Sequence, residues 1–211
     1  MAVHHPATIV PTKLELLRAW VPHQPWAADA DTSALTRLGS YRFDDPDGEV
    51  GMETHLLGTA DGQVLQVPLT YRGARRAGAG DSLITTMTHT TLGDRWVYDG
   101  CHDPVFLTVL VATVLTGGRE ADLYAATEHG LVLEPSTTHV RGSGNLRVGE
   151  VPPLTAPVVR HGGTTTVVDA GVRLVLPRVV TPAGSATGFA LRGTWPGQEE
   201  PVVLATVEGP S

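Results

Sequence analysis

Apolar residues near the start of the chain follow a helical period. They are Leu14, Leu16, Leu17 and Trp20. Thr12 precedes them and Glu15 stands three residues after it, which is the spacing of a capping box, and Pro22 cannot continue a helix. The pattern predicts a short helix over about residues 13–20, with its apolar residues on a packed face.

Polar and apolar residues then alternate, which is typical of half-buried strands. Five segments show this pattern: 37–45, 49–60, 63–73, 81–93 and 94–100. Asp-Pro-Asp-Gly and Asp-Gly turns separate the first three, and Gly93-Asp94 joins the last two. The sequence therefore predicts an antiparallel sheet of five strands that begins as a three-stranded meander.

The period lengthens again after this sheet. Asp103 followed by Pro104 is a favourable N-cap and first-turn pair, and Gly117-Gly118 lies where a C-cap glycine belongs. We expect a helix over residues 104–116, with a buried strand as the alternative because the segment is rich in valine. A shorter helix is predicted over residues 119–127.

The last part of the chain returns to strands. Three prolines in residues 145–157 indicate a joint between two halves. Five strand-like segments follow it: 156–163, 164–171, 172–180, 186–195 and 200–209. The predicted fold class is α+β, with a sheet and a packed helix over residues 1–150 and a smaller all-β portion over residues 151–211.

Composition excludes several classes of protein. The net charge is -7, and the sequence has no basic cluster beyond Arg75-Arg76. Both observations argue against a nucleic-acid partner. The longest apolar run, residues 105–115, is about half of the ~20 residues that a membrane span needs. Cys101 is the only cysteine and no export segment is evident, so we expect a cytoplasmic protein without disulfides. The sequence has fourteen arginines but a single lysine, Lys13, so any Schiff-base chemistry would have to use Lys13.

The segment 92–104 concentrates the candidate chemistry. Asp99, His102 and Asp103 are spaced closely enough to suggest a metal trio. The alternative is structural, because Asp99-Gly100 is a turn signal and Asp103 is a helix cap. We favour structure and predict no metal. His89, on the preceding strand, is either a hydrogen-bonded strand histidine or an acid–base group.

Three further side chains of this region have two interpretations each. Trp96 and Tyr98 share one face of a strand, so they could form an aromatic platform for a sugar ring or belong to the core, and burial is favoured. Cys101 could be a nucleophile if the helix N-terminus lowered its pKa. Because the adjacent aspartates oppose a thiolate, we interpret it as a structural thiol.

Three stretches resemble a known family. "LRAWVPHQPW", "LQVPLTYRG" and "TLGDRWVYDGCHDPVF" are similar to the N-terminal cap of bacterial maltokinases and of related cap-bearing sugar kinases such as glucosamine kinases. They resemble even more the stand-alone cap-like proteins, some of which are labelled glucan-branching proteins. The resemblance implies a curved, cystatin-like antiparallel sheet wrapped around a helix.

The resemblance extends more weakly to "TTTVVDAGVRLVLPRVV", which is similar to the first hairpin of the kinase N-lobe. In that family a strand lysine serves the nucleotide, and its place falls here at Pro177. Arg178 is the nearest basic residue, but it points to the opposite face of an alternating strand. The sequence ends at Ser211, near where the hinge to the catalytic lobe would lie. The resemblance therefore implies no phosphoryl transfer by this chain alone and no nucleotide cofactor.

Two functions remain open at this point. The first is a non-catalytic cap-like protein that binds a partner protein or a carbohydrate in glucan, maltose or trehalose metabolism. The second is a small-molecule enzyme that uses His89, Asp99, His102 or Asp103 on a cap-derived scaffold. Homo-oligomers could also form through open sheet edges.

Overall fold

The structure is a computed structural model that describes residues 2–4, 7–128, 130–154, 157–182 and 186–208. The helices are α1 (Lys13–Trp20) and α2 (Pro104–Thr116). The strands are β1 (Ala2–His4), β2 (Ile9–Val10), β3 (Thr36–Phe43), β4 (Val50–Gly58), β5 (Val64–Arg72), β6 (Leu83–His89), β7 (Gly93–Asp99), β8 (Leu123–Thr127), β9 (Gly130–Glu134), β10 (His139–Gly142), β11 (Val158–Gly162), β12 (Thr165–Asp169), β13 (Arg173–Pro177), β14 (Val179–Val180), β15 (Phe189–Trp195) and β16 (Gln198–Glu208).

The first sheet contains the five strands expected from the alternating pattern. Its order is β2-β6-β7-β5-β4-β3, every neighbouring pair is antiparallel, and β14 pairs with β5. Strand β4 is buried on both sides: Met52 and Leu56 point to one face, and Glu53, His55 and Leu57 to the other. The prediction of β3 to β7 is confirmed.

Helix α1 covers one face of this sheet. Its capping box is present, because Thr12 Oγ1 accepts from the Glu15 N–H at 3.3 Å and Glu15 Oε2 accepts from the Thr12 N–H at 2.8 Å. Leu16 and Leu17 pack with buried side chains of β4, β5 and β7. The predicted helix over residues 13–20 is confirmed, and its apolar stripe serves burial.

Helix α2 is also confirmed, and it packs against both sheets. Asp103 Oδ1 accepts from the Val105 N–H at 3.0 Å at its start, and Gly117 ends it in the left-handed conformation with φ of 70°. Its apolar side chains share one hydrophobic cluster with Phe43 and Met52 of the first sheet and with Leu191 of the second. Most of its side chains are apolar and at least partly buried, which is typical of a helix packed on more than one side.

The second sheet has the order β10-β15-β16-β13-β12-β11, and all of its pairs are antiparallel. Gln66 of β5 connects it to the first sheet, because Gln66 Nε2 donates to the carbonyls of Pro177 at 2.9 Å and Leu204 at 2.8 Å. Strand β10 precedes residue 150 yet pairs with β15. The division of the chain at residue 150 remains a prediction, and residues 155 and 156 of the predicted joint lie outside the described part.

The prediction of a short helix over residues 119–127 is wrong. Leu123–Thr127 form β8, which pairs in parallel with β1 and antiparallel with β9. The residues of this segment suit a helix, but pairing on both sides satisfies their backbone groups as a strand, and such tertiary contacts override local propensity.

The fold class is α+β, as predicted, and strands predominate. Among the described residues, neither helix has the length and apolar character that a membrane crossing requires.

Candidate functional site

The candidate residues of the sequence lie at two separate places. Asp99 ends β7, a 3₁₀ turn of Gly100–His102 follows, and Asp103 caps α2. The candidates Asp99, His102 and Asp103 are therefore neighbours. His89 pairs with Gly93 at the opposite end of β7, where its Nδ1 accepts from the N–H groups of Thr91 and Leu92. The four side chains therefore do not converge on one pocket.

Asp103 has a structural role beyond the cap. Arg72 donates to both of its carboxylate oxygens at 2.8 Å, and the Thr70 hydroxyl donates to Oδ2 at 3.0 Å. Burial alone would raise the pKa of this carboxyl, but the bonds and charge of Arg72 together with the bonds from Thr70 and the Val105 N–H outweigh burial and hold the pKa below its usual value. Asp103 therefore joins the start of α2 to the end of β5.

Asp99 is the partner of a buried cation. Arg178 is fully buried, and its Nη2 donates to the two carboxylate oxygens of Asp99 at 2.8 Å and 2.6 Å. Its Nε donates to Thr166 Oγ1 at 2.8 Å, and its guanidinium lies 5.0 Å from the centre of the Trp26 ring. Burial opposes the charge of Arg178, but Asp99 outweighs it, so the pKa of the guanidinium is raised. The pair joins the second sheet to the end of β7.

The aromatic pair of β7 is mostly core. Trp96 and Tyr98 share a face, as predicted, and stand opposite Arg72 and Thr70 of β5. Tyr98 is 0% exposed and its hydroxyl accepts from the Arg76 N–H at 2.8 Å, so no face of its ring is open to a sugar. Trp96 is only half-buried. The burial alternative therefore describes Tyr98.

Cys101 and His102 occupy the turn between Asp99 and Asp103. Burial raises the pKa of the Cys101 thiol to about 12, so the thiolate that a nucleophile needs is not formed near neutral pH. His102 is half-buried, and its ring lies beside that of His161 in β11. Burial also lowers the pKa of both histidines, so their imidazoles are neutral at pH 7.

A buried carboxylate on the α1 side of the first sheet is surrounded by basic side chains that are themselves partly or fully buried. Glu53 is 3% exposed, and its carboxylate accepts from Lys13, from Arg42 Nη2 at 2.9 Å and from the Ser40 hydroxyl at 3.0 Å. His55 Nε2 lies 3.8 Å from the same carboxylate. We call Lys13, Arg42, Glu53 and His55 the Glu53 cluster.

The Glu53 cluster has shifted titration. Burial disfavours the Glu53 carboxylate, yet the surrounding His55, Arg42 and Lys13 keep its pKa well below the usual range. Burial lowers the pKa of Lys13, and the pairing with Glu53 only partly offsets this. Burial also lowers the pKa of His55 to about 4, so its imidazole is neutral at pH 7.

The titration of His55 should make stability depend on pH. Because its pKa is about 4 in the folded chain and about 6.5 in the unfolded chain, the unfolded chain binds this proton first. We expect the free energy of unfolding to fall by about 3 kcal/mol between pH 6.5 and pH 4 through this group. Urea unfolding of His55→Gln over this range should show a shallower loss than the unsubstituted chain, and equal slopes would contradict the assignment.

A cleft of about 410 Å³ opens beside the Glu53 cluster. It lies between β2, the ends of β5 and β6, and the loop that joins β3 to β4. Its basic side chains come from Lys13, Arg42 and Arg95 and its acidic ones from Asp44, Asp45 and Glu49. Tyr71 and the exposed Leu92 add aromatic and apolar surface, and His89 lies on the wall. Both signs of charge and an apolar surface are therefore present in one concave site.

The sequence analysis missed Glu53 and its partners. One signal was available: Glu53 lies in the middle of a predicted strand that has predicted strands on both sides. A charged residue at such a position is buried only when it is paired, so partners could have been expected. The single lysine was a second signal, since the structure places it in the same cluster. His89 is the one predicted candidate that lines this cleft.

Comparison with known proteins identifies one region of the chain. Residues 20–103 match the family model of the maltokinase N-terminal cap domain. The matched span runs from the last residue of α1, through β3 to β7, to the residue that caps α2. A search of the curated proteins gives no match.

Proposed function

Residues 20–103 match the model of the maltokinase N-terminal cap domain, and from that match we propose that the protein is a non-catalytic module that binds a carbohydrate of glucan, maltose or trehalose metabolism. The binding site is the cleft beside the Glu53 cluster. The observation that carries this proposal is the cleft itself, whose volume of about 410 Å³ falls within the range of small-molecule sites, roughly 300–1,000 Å³.

The lining of the cleft suits a neutral sugar. Sugar hydroxyls both donate and accept hydrogen bonds, so they pair with carboxylates such as Glu49 and with guanidinium groups such as Arg95. The flat C–H faces of a sugar ring pack on aromatic and apolar side chains, which Tyr71 and Leu92 provide. A site with charges of both signs favours such a ligand over a strongly charged one.

The second sheet supports a role without phosphoryl transfer. The resemblance to the kinase N-lobe hairpin implies that the place of the nucleotide lysine falls at Pro177, which has no amine. Arg178, the next residue, is fully buried and bonded to Asp99, so its charge is already compensated and lies away from water. Neither residue can stabilise the charge of a triphosphate.

The alternative of an enzyme built on the four predicted residues receives less support. Asp99 and Asp103 each hold an arginine, and His89 lies at the far end of β7. Acid–base catalysis needs these groups within reach of one substrate atom. The arrangement favours binding over chemistry by this set of residues.

The proposal predicts saccharide binding that depends on Arg95. Isothermal titration with maltose, trehalose and malto-oligosaccharides should show saturable binding of at least one of these sugars. Arg95→Ala removes a charged donor from the cleft wall and should weaken that binding by roughly tenfold or more. Phosphate release from ATP, with and without the sugar, should stay at the level of the buffer.

Arg192→Ala is the matched control, because Arg192 is an exposed arginine on β15 of the second sheet. It should bind sugar as the unsubstituted chain does. Failure of all three kinds of sugar to bind, or equal affinity of Arg95→Ala, would overturn the assignment of the cleft. ATP turnover that persists after repurification would overturn the non-catalytic role.

A further inference from the structure

Two histidines that are far apart in the sequence meet at the junction of the two sheets. His102 ends the 3₁₀ turn after Asp99, and His161 lies on β11. Their Nε2 atoms are 3.4 Å apart, and their rings are tilted by 53°. This contact joins residues that are 59 positions apart.

The distance between the two nitrogens matches a shared zinc ion. A tetrahedral zinc holds imidazole nitrogens at about 2.0–2.1 Å, so two such nitrogens lie about 3.4 Å from each other. The observed 3.4 Å between His102 Nε2 and His161 Nε2 therefore places both atoms at the spacing of one tetrahedral edge.

A carboxylate completes the set. One oxygen of Asp99 and one nitrogen of each histidine all lie within 4.8 Å of one another. Oxygen and imidazole nitrogen are ligands that zinc accepts, and three protein ligands leave a fourth position for water. The edge of a tetrahedral zinc site is about 3.4 Å, so the carboxylate oxygen and the imidazole nitrogens would have to approach one another by up to about 1.4 Å to share one ion.

The groups around these residues already fix their orientation. Thr166 Oγ1 lies 2.9 Å from His161 Nδ1, so this hydroxyl can accept from Nδ1–H and leave Nε2 free for a metal. Arg178 holds the same hydroxyl through Nε and holds Asp99 through Nη2. One buried arginine thus positions both the carboxylate and the partner of an imidazole.

We propose that Asp99, His102 and His161 form a binding site for a divalent transition metal of the zinc class, which ties β11 of the second sheet to the turn that follows β7. The charge of Arg178 beside Asp99 opposes a cation, so the two imidazoles supply most of the affinity. The site is separate from the sugar cleft, and its existence does not depend on the proposed function.

Metal binding to the full chain without a histidine tag tests the proposal. Competition with a chromophoric chelator should give one zinc per chain, and cobalt should give the intense visible bands of a four-coordinate site. His161→Ala and His102→Ala should each lower zinc affinity by at least about tenfold. Zinc should also raise the melting temperature of the unsubstituted chain, because a ligand of the folded state stabilises it.

His139→Ala is the matched control. His139 is an exposed histidine beside the carboxylate of Glu120, at 2.9 Å, and lies outside the proposed site. This variant should keep one zinc per chain. His161 is exposed, so His161→Ala should fold, which far-UV circular dichroism in chelator checks. Absence of zinc from the unsubstituted chain, or equal zinc affinity of His161→Ala, would overturn the proposal. Sugar titrations in the presence of a chelator test the cleft without metal, so a failure of the metal proposal can be distinguished from a failure of the proposed function.

Discussion

Asp99→Asn should lower the free energy of unfolding by about 3–5 kcal/mol, the largest effect that we expect from a single substitution in this chain. The substitution leaves Arg178 with its charge but without its countercharge. Arg178 is fully buried, so water cannot replace the lost carboxylate. Urea unfolding in a buffer with chelator measures this effect and keeps any bound metal out of the comparison.

Two further variants separate charge from packing in this pair. Arg178→Met removes the cation and keeps an unbranched side chain, so the double variant Asp99→Asn with Arg178→Met should be more stable than the sum of the single losses predicts. Asp122→Asn breaks an exposed ion pair with Arg119 and should show no measurable loss. Strictly additive losses, or a loss for Asp99→Asn as small as that of Asp122→Asn, would contradict the role of the pair.

Asp103→Ala should be the second most destabilising of these substitutions, with a loss of about 3 kcal/mol. It removes the N-cap of α2 together with the carboxylate that receives Arg72 and Thr70. Arg72 is 19% exposed, so water can partly replace its partner, and the loss stays below that expected at Asp99. The free energy of unfolding from urea titration is the quantity to compare.

Asp103→Asn divides this loss into its parts. Asparagine keeps a side-chain oxygen that can cap the helix but carries no charge for Arg72. We expect Asp103→Asn to retain about 1 kcal/mol of the stability that Asp103→Ala loses. Equal losses for the two variants would show that the cap contributes nothing.

The sequence predicted those features that depend on neighbours along the chain. Caps, turn signals and periodicity located α1, α2 and the strands β3 to β7 because Thr12, Asp103 and Gly117 act on backbone groups within a few residues. Strand β8 was missed because its conformation depends on pairing with β1 and β9, and local composition does not report such pairing.

The sites were less accessible to prediction, because they combine residues that are distant in the sequence. Asp99 and Arg178 are 79 positions apart, and Gln66 reaches Leu204 over 138 positions. The alternation of residues along the chain could not supply the partner that the burial of Arg178 requires. The Glu53 cluster was hidden for the same reason, since Lys13 and Glu53 meet only after α1 docks on the sheet.

The packing of the first sheet against elements on both of its sides has a consequence for fragments of this protein. The span that matches the cap family begins at Trp20 and ends at Asp103, so it omits nearly all of α1 and the whole of α2. In an excised 20–103 fragment, both apolar faces of the sheet would be exposed to water, and Asp99 would lack its partner Arg178. We expect such a fragment to aggregate rather than to fold on its own. The residues that match the family model are therefore fewer than the residues that are needed to cover both faces of the sheet.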